Sequence, residues 1–241
     1  MSLRIACDLD GTLADMESAL ETEAERLFGP GVDLRGSLRG RPEGPSSAES
    51  PDPTASSPGM RPPVLAATNG TRLSDRQQRQ LWAHVRRIDN FWMSLKEVEP
   101  GAVARLSQAA AEHDWDLLFI TTRPAAAGET TQIQSQRWLQ AHGFELPSVY
   151  VVSGSRGRIA AALTLDAVLD DRPENCLDVA TDSNAKPFLV WRDTPESVPQ
   201  GASRLGIKVV FSIADVVQQL QAPRAVSARG FMGRLKGTLG I

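Results

Sequence analysis

The sequence predicts an α/β protein, a doubly wound parallel sheet with a small helical cap inserted after the first strand. Three observations carry this. Short apolar runs without polar alternation recur along the chain, as in strands covered on both faces. Helical periodicity fills most of the intervals between them. The interval between the first two strands, roughly a hundred residues, is far longer than an ordinary crossover and must hold an insertion.

Five runs read as buried strands: Arg4–Asp8, Asp116–Thr121, Val149–Ser153, Ala167–Asp170 and Phe188–Trp191. Lys208–Phe211 reads as a sixth. Val103–His113 places Val103, Leu106, Ala109 and Ala110 at helical spacing, and Glu129–His142 does the same before the stop at Gly143. Arg158–Leu163 and Ile213–Leu220 are shorter helical stretches.

The insertion opens with a helix over Met16–Phe28. Gly36–Pro63 then holds seven of the chain's sixteen prolines with much Ser and Gly. It has too few large apolar residues to offset its ordering entropy, which predicts a disordered loop within about 36–72. Ser74 followed by Gln77 fits a capping box, and Leu81, Trp82, Val85 and Ile88 then form one helical face. The expected division is a core of 1–15 and 99–222, a cap of 16–98, and a flexible basic tail of 223–241. That tail spaces Arg224, Arg229, Arg234 and Lys236 among four glycines. A weak surface helix is the other reading, but glycines disfavour it.

Composition narrows the function. The 241 residues carry a net charge of −3, so the chain has no basic field for gripping a nucleic-acid polymer. No stretch approaches the length of an apolar membrane span, and Met1–Asp8 meets acid too soon for a signal peptide. The only two cysteines, Cys7 and Cys176, make no metal motif and suit a reduced, cytoplasmic setting. Oligomeric state is not readable.

The chemistry concentrates at strand ends. Asp8-Leu9-Asp10-Gly11-Thr12-Leu13-Ala14-Asp15 follows the first strand directly. Ligands of open α/β sheets bind at that edge, and Gly11 permits the turn that aims both carboxylates there. One can attack phosphorus while the other hands a proton to the leaving oxygen. Two close anions call for a cation, and oxygen donors beside phosphate suit magnesium.

This octapeptide resembles the first signature of the haloacid dehalogenase-like phosphohydrolases. The resemblance implies a nucleophile at Asp8. It implies a general acid/base at Asp10, whose backbone carbonyl also binds Mg2+. The second signature, a hydroxyl ending the second strand, matches Thr121, with Thr122 as a further phosphate contact. The fourth, acidic residues ending the fourth strand, matches Asp170 and Asp171, so that Asp8, Asp10, Asp170 and Asp171 would surround the metal. The third is normally a lysine. No lysine lies between Ser153 and Asp170, and Arg156 or Arg158 must supply the charge, with Arg156 favoured by position. Arginine offers a forked donor set but is not equivalent to a compact ammonium.

A looser resemblance concerns the substrate. Asn90-Phe91-Trp92-Met93, running on to Pro100-Gly101-Ala102, is similar to the segment before the core helix in 5'-nucleotidases of the deoxyribonucleotidase type. It implies that Phe91 and Trp92 stack on a nucleobase; packing between cap and core is the competing reading. The expected activity is therefore phosphomonoester hydrolysis on a small phosphorylated substrate, a nucleotide among the candidates. A non-catalytic phosphate-binding module, transfer to another acceptor and carbon–halogen hydrolysis are the alternatives.

Overall fold

The computed structural model describes residues 2–34 and 71–221. The expected loop over 36–70 and the tail at 223–241 lie outside them. Six strands form one all-parallel sheet in the order β5-β4-β1-β6-β7-β8: β1 (Arg4–Asp8), β4 (Asp116–Thr121), β5 (Ser148–Val151), β6 (Ala167–Asp170), β7 (Lys186–Val190) and β8 (Lys208–Val210). Ile5, Ala6 and Cys7 of β1 are fully buried, which suits a strand with helices on both faces. At the edge, β5 buries Val149 but exposes Tyr150 and Val151.

The crossovers are α3 (Ala102–His113), α4 (Thr131–Ala141), α5 (Arg156–Ala162), α6 (Pro173–Asp182) and the final α7 (Ile213–Gln221). Side-chain caps set several starts. Thr130 accepts from Ile133 N in α4, and Ser155 accepts from Arg158 N in α5. The Ser155 cap begins α5 two residues earlier than the apolar pattern predicts.

The insertion contributes α1 (Met16–Phe28) and α2 (Asp75–Val85), with a two-stranded parallel ladder of β2 (Val32–Asp33) and β3 (Thr71–Arg72) beside them. Thr71 and Arg72 are thus paired strand residues, although the expected loop reached residue 72. The capping box at Ser74 and Gln77 forms as expected. Leu20 and Ala24 of α1, and Leu81 and Val85 of α2, belong to the same apolar cluster as Phe119 and Leu169 of the sheet. Among the described residues the cap therefore has no core separate from that of the sheet.

Its two linkers to the sheet run side by side. Asp15 N donates to Lys96 O at 2.8 Å and Val98 N to Leu13 O at 2.8 Å. Among the described residues no helix is long and apolar enough to cross a membrane.

Candidate active site

Because β1 lies between β4 and β6, the carboxyl ends of those three strands converge. Asp8, Thr121 and Asp170 close their respective strands, and Asp8 sits opposite Ile120 in the ladder. After Asp8 the chain folds back on itself. Leu13 N and Ala14 N both donate to Leu9 O, at 2.9 and 2.7 Å, and Gly11 N donates to Ala14 O at 2.9 Å. Gly11 has φ of +83°, and a Cβ there would lie 2.3 Å from Asp171 Oδ2. Only glycine satisfies both the conformation and the close approach.

This turn floors a cleft of about 400 Å³. Asp8, Asp10, Thr122, Arg156, Asp171 and Arg192 are among the residues that line it, together with Met16 and Leu34 of the insertion. Asp8 is largely buried. Arg156 Nη2 donates to its Oδ1 at 2.9 Å, while Arg156 Nε stands 3.7 Å from Asp170 Oδ2. Arg156 Nε and Nη1 have no hydrogen-bond partner in the protein although both are buried. Burial pushes the Asp8 carboxyl well above the usual range. The nearby Asp170 and Asp10 carboxylates push the same way, and Arg156 opposes them.

Asp170 is fully buried and does not reach the cleft wall. Burial first, then the adjacent Asp171 charge, raise it to about 7. Arg156, the Arg172 N–H and the Asn175 amide moderate that rise. Asp171 is the member of the pair that faces the cleft, and Thr12 Oγ1 donates to its Oδ1 at 3.4 Å.

Asp10 is held on both oxygens. Arg123 Nε lies 2.9 Å from each of them, Arg123 Nη2 donates to Oδ1 at 2.7 Å, and Thr121 Oγ1 donates to Oδ2 at 3.1 Å.

Several expectations need correction. Thr121, expected as the main phosphate contact, turns its hydroxyl to Asp10, while Thr122 lines the cleft. Successive residues of an extended chain point to opposite sides. Arg158 is exposed and absent from the cleft wall. It lies two residues past Arg156 on α5, roughly 200° around the helix.

Phe91 and Trp92 form no stacking platform; they are 3% and 0% exposed. The two rings meet edge to face at 5.0 Å, and Trp92 Nε1 donates to Pro124 O at 3.0 Å. They anchor the insertion's exit to the core.

Two arginines had no role assigned from sequence. Arg123 follows the β4 hydroxyls, and a basic residue so near a strand end needs an acidic partner if buried. Arg192, just past β7, donates from Nη2 to Thr12 O at 2.5 Å and so ties β7 to the Asp8 turn.

A divalent cation suits this donor set. Asp8 and Asp171 face one cleft, and burial, together with the neighbouring Asp170 and Asp10 carboxylates, makes a charged Asp8 costly without a cation beside it. Among the described residues no three His, Cys, Asp or Glu side chains close a cage. Magnesium does not require one, because it keeps several waters and uses one or two carboxylates.

No family model matches the chain, and no curated protein matches it. Solved structures do. The chain is similar to a haloacid dehalogenase-like hydrolase from Streptococcus pneumoniae at 14% identity and a TM-score of 0.50, covering 91% of this chain and 99% of that one. It is equally similar to a haloacid dehalogenase family hydrolase from Deinococcus radiodurans, with bound phosphate and sodium: 14% identity, TM-score 0.50, 91% of this chain and 95% of that one. At this identity the likeness is one of fold. The chain has the haloacid dehalogenase-like fold, a six-stranded all-parallel sheet flanked by helices.

Proposed function

We propose that this protein is a magnesium-dependent phosphomonoesterase that works through a phosphoaspartate on Asp8. One observation carries the reading. A buried carboxylate at the end of a central strand shares its cleft with a buried guanidinium whose Nε and Nη1 make no hydrogen bond, Nε standing only at ion-pair distance from Asp170. A phosphoryl group within reach of Asp8 would supply acceptors for those donors, and unpaired buried donors are costly. The Thr122 hydroxyl adds a further donor on the same wall.

An Asp8 oxygen attacks phosphorus as the bond to the leaving oxygen breaks, and the Asp10 carboxyl protonates that oxygen. Asp10, now a carboxylate, takes a proton from water as the water oxygen attacks the phosphoaspartate. The bond from phosphorus to Asp8 then breaks, freeing inorganic phosphate and returning the Asp8 carboxylate. Arg156 and Thr122 hold the phosphoryl oxygens throughout. Asp8, Asp171 and the Asp10 carbonyl would hold magnesium, which when bound offsets the negative charge of the phosphoryl and carboxylate oxygens.

A 5'-nucleotidase form of this reading would need a base contact other than Phe91 and Trp92. The insertion's cleft-facing Met16 and Leu34 provide an apolar surface for the leaving group of a small phosphorylated substrate. The two buried, free cysteines fit a cytoplasmic setting. A non-catalytic phosphate-binding module is the second reading, favoured by an arginine, Arg156, standing beside Asp8 in place of a lysine.

The deciding experiment is phosphate release from 4-nitrophenyl phosphate and a panel of small monophosphates, nucleotides included, with and without magnesium. The expected result is magnesium-dependent turnover that falls by at least about a thousandfold in Asp8→Asn. Tight binding of a phosphate analogue without turnover on any substrate would select the module.

A further inference from the structure

We propose that Arg123 is the positioning residue for Asp10, fixing the carboxyl that moves the proton in both halves of the reaction. The inference rests on the phosphomonoesterase reading and adds to it a residue that never touches the substrate. Arg123 has a side-chain exposure of 0% and does not line the cleft. Each part of its guanidinium is engaged. Nε and Nη2 grip Asp10, Nη1 donates to Ser135 Oγ of α4 at 2.9 Å, and Cζ lies over the Trp92 ring, 5.0 Å from its centroid.

The arginine itself is therefore fixed from three directions. Trp92 holds it from the exit of the insertion, α4 through Ser135, and β4 through the chain that also carries Thr121. A carboxyl on a one-carbon stem has two free torsions, and a planar fork with parallel donors removes that freedom in a way a point charge cannot. Proton transfer depends on heavy-atom distances near contact, so a loosened Asp10 loses rate rather than affinity.

The two half-reactions make this testable. A leaving group that departs without a proton, such as 4-nitrophenolate, needs no acid in the first half. An alkoxide needs one. Both substrates give the same phosphoaspartate, whose hydrolysis needs Asp10 as base.

In Arg123→Ala, kcat/KM for an alkyl phosphate should fall by about a hundredfold or more. The same parameter for 4-nitrophenyl phosphate should stay near the wild-type value. KM should not rise for either, and the aryl substrate should show a stoichiometric burst as the phosphoenzyme accumulates. Arg123→Lys and Ser135→Ala should show the same split at smaller amplitude, and they decide the matter if Arg123→Ala does not fold.

An equal fall of kcat/KM for both substrates in the folded variants would overturn the assignment. That outcome leaves the phosphomonoesterase reading intact if wild-type turnover is lost in Asp8→Asn. Absence of turnover by the folded wild type would overturn both.

Discussion

Asp170, like Asp8, is an aspartate whose ionisation the fold opposes. Its folded value of about 7 lies above that of an ordinary aspartate, with burial as the main cause and Asp171 as the next. The folded protein therefore keeps a proton that the unfolded chain has already lost over the range from about pH 4 to 7. Stability from this group is fully present below the unfolded value and is lost as pH rises through 7. Asp8 is shifted in the same direction.

Without divalent cation, the wild type should lose Tm across pH 5 to 7.5 more steeply than Asp170→Asn. Added magnesium should raise Tm more at pH 7.5 than at pH 5, because the charged carboxylates bind it. Thermal melts at matched ionic strength check both points. A wild-type slope no steeper than that of the variant would refute the role given to Asp170.

The signatures at Asp8-Asp10 and at the Asp170-Asp171 pair are local in sequence and legible there, whereas the choice of Asp171 as the cleft-facing member needs the structure. Arg123 is not legible. Its meaning lies in a partner 113 positions away, and nothing in its own neighbourhood announces that it is buried.

At the scale of elements, α5 and α6 pack unusually closely. A Cβ on Gly157 would stand 2.1 Å from Asp178 O and 2.7 Å from Asp182 Cβ, both on α6. Alanine in a helix is ordinarily favoured over glycine by about 1 kcal/mol. Here the sign reverses, since α6 backbone must move. Gly157→Ala should cost about 1–3 kcal/mol, read from urea denaturation. It should also lower turnover, because Arg156 is the adjoining residue.

The same pair of helices marks where the sequence was readable and where it was not. β1, β4 and β6 fall at the boundaries their apolar runs predict, since each is bounded by polar residues. α6 was not foreseen. It buries only Cys176 and Val179, leaves Leu177 exposed, and fills most other positions with acidic, amide and small residues, too weak a stripe to stand out. Pro173 at its first position was the available signal. β2 and β3, at two residues each, are too short for any periodicity.

At the scale of the molecule, the shared apolar cluster binds the insertion to the sheet. Leu20 and Leu81 are buried as completely as Phe119. Removing the insertion's helices would expose that surface, so the described parts should unfold together. Heat or denaturant should give one transition, with far-ultraviolet circular dichroism and tryptophan fluorescence superimposing. Trp82 in α2 and Trp138 in α4 place fluorescent reporters in both parts. Two separated transitions would contradict a common core.

The paired linkers carry one more consequence. The chain leaves the sheet at Leu13–Asp15 and returns at Lys96–Val98, and main-chain bonds stitch the two passages. Main-chain bonds place few demands on side-chain identity. The sheet can therefore close its strand order whatever lies between those passages, provided an apolar face returns to cover it. In lineage terms this is a graft point: the strand ends that carry Asp8, Thr121 and Asp170 can be inherited unchanged while the covering segment, and with it the Met16 and Leu34 side of the cleft, is exchanged.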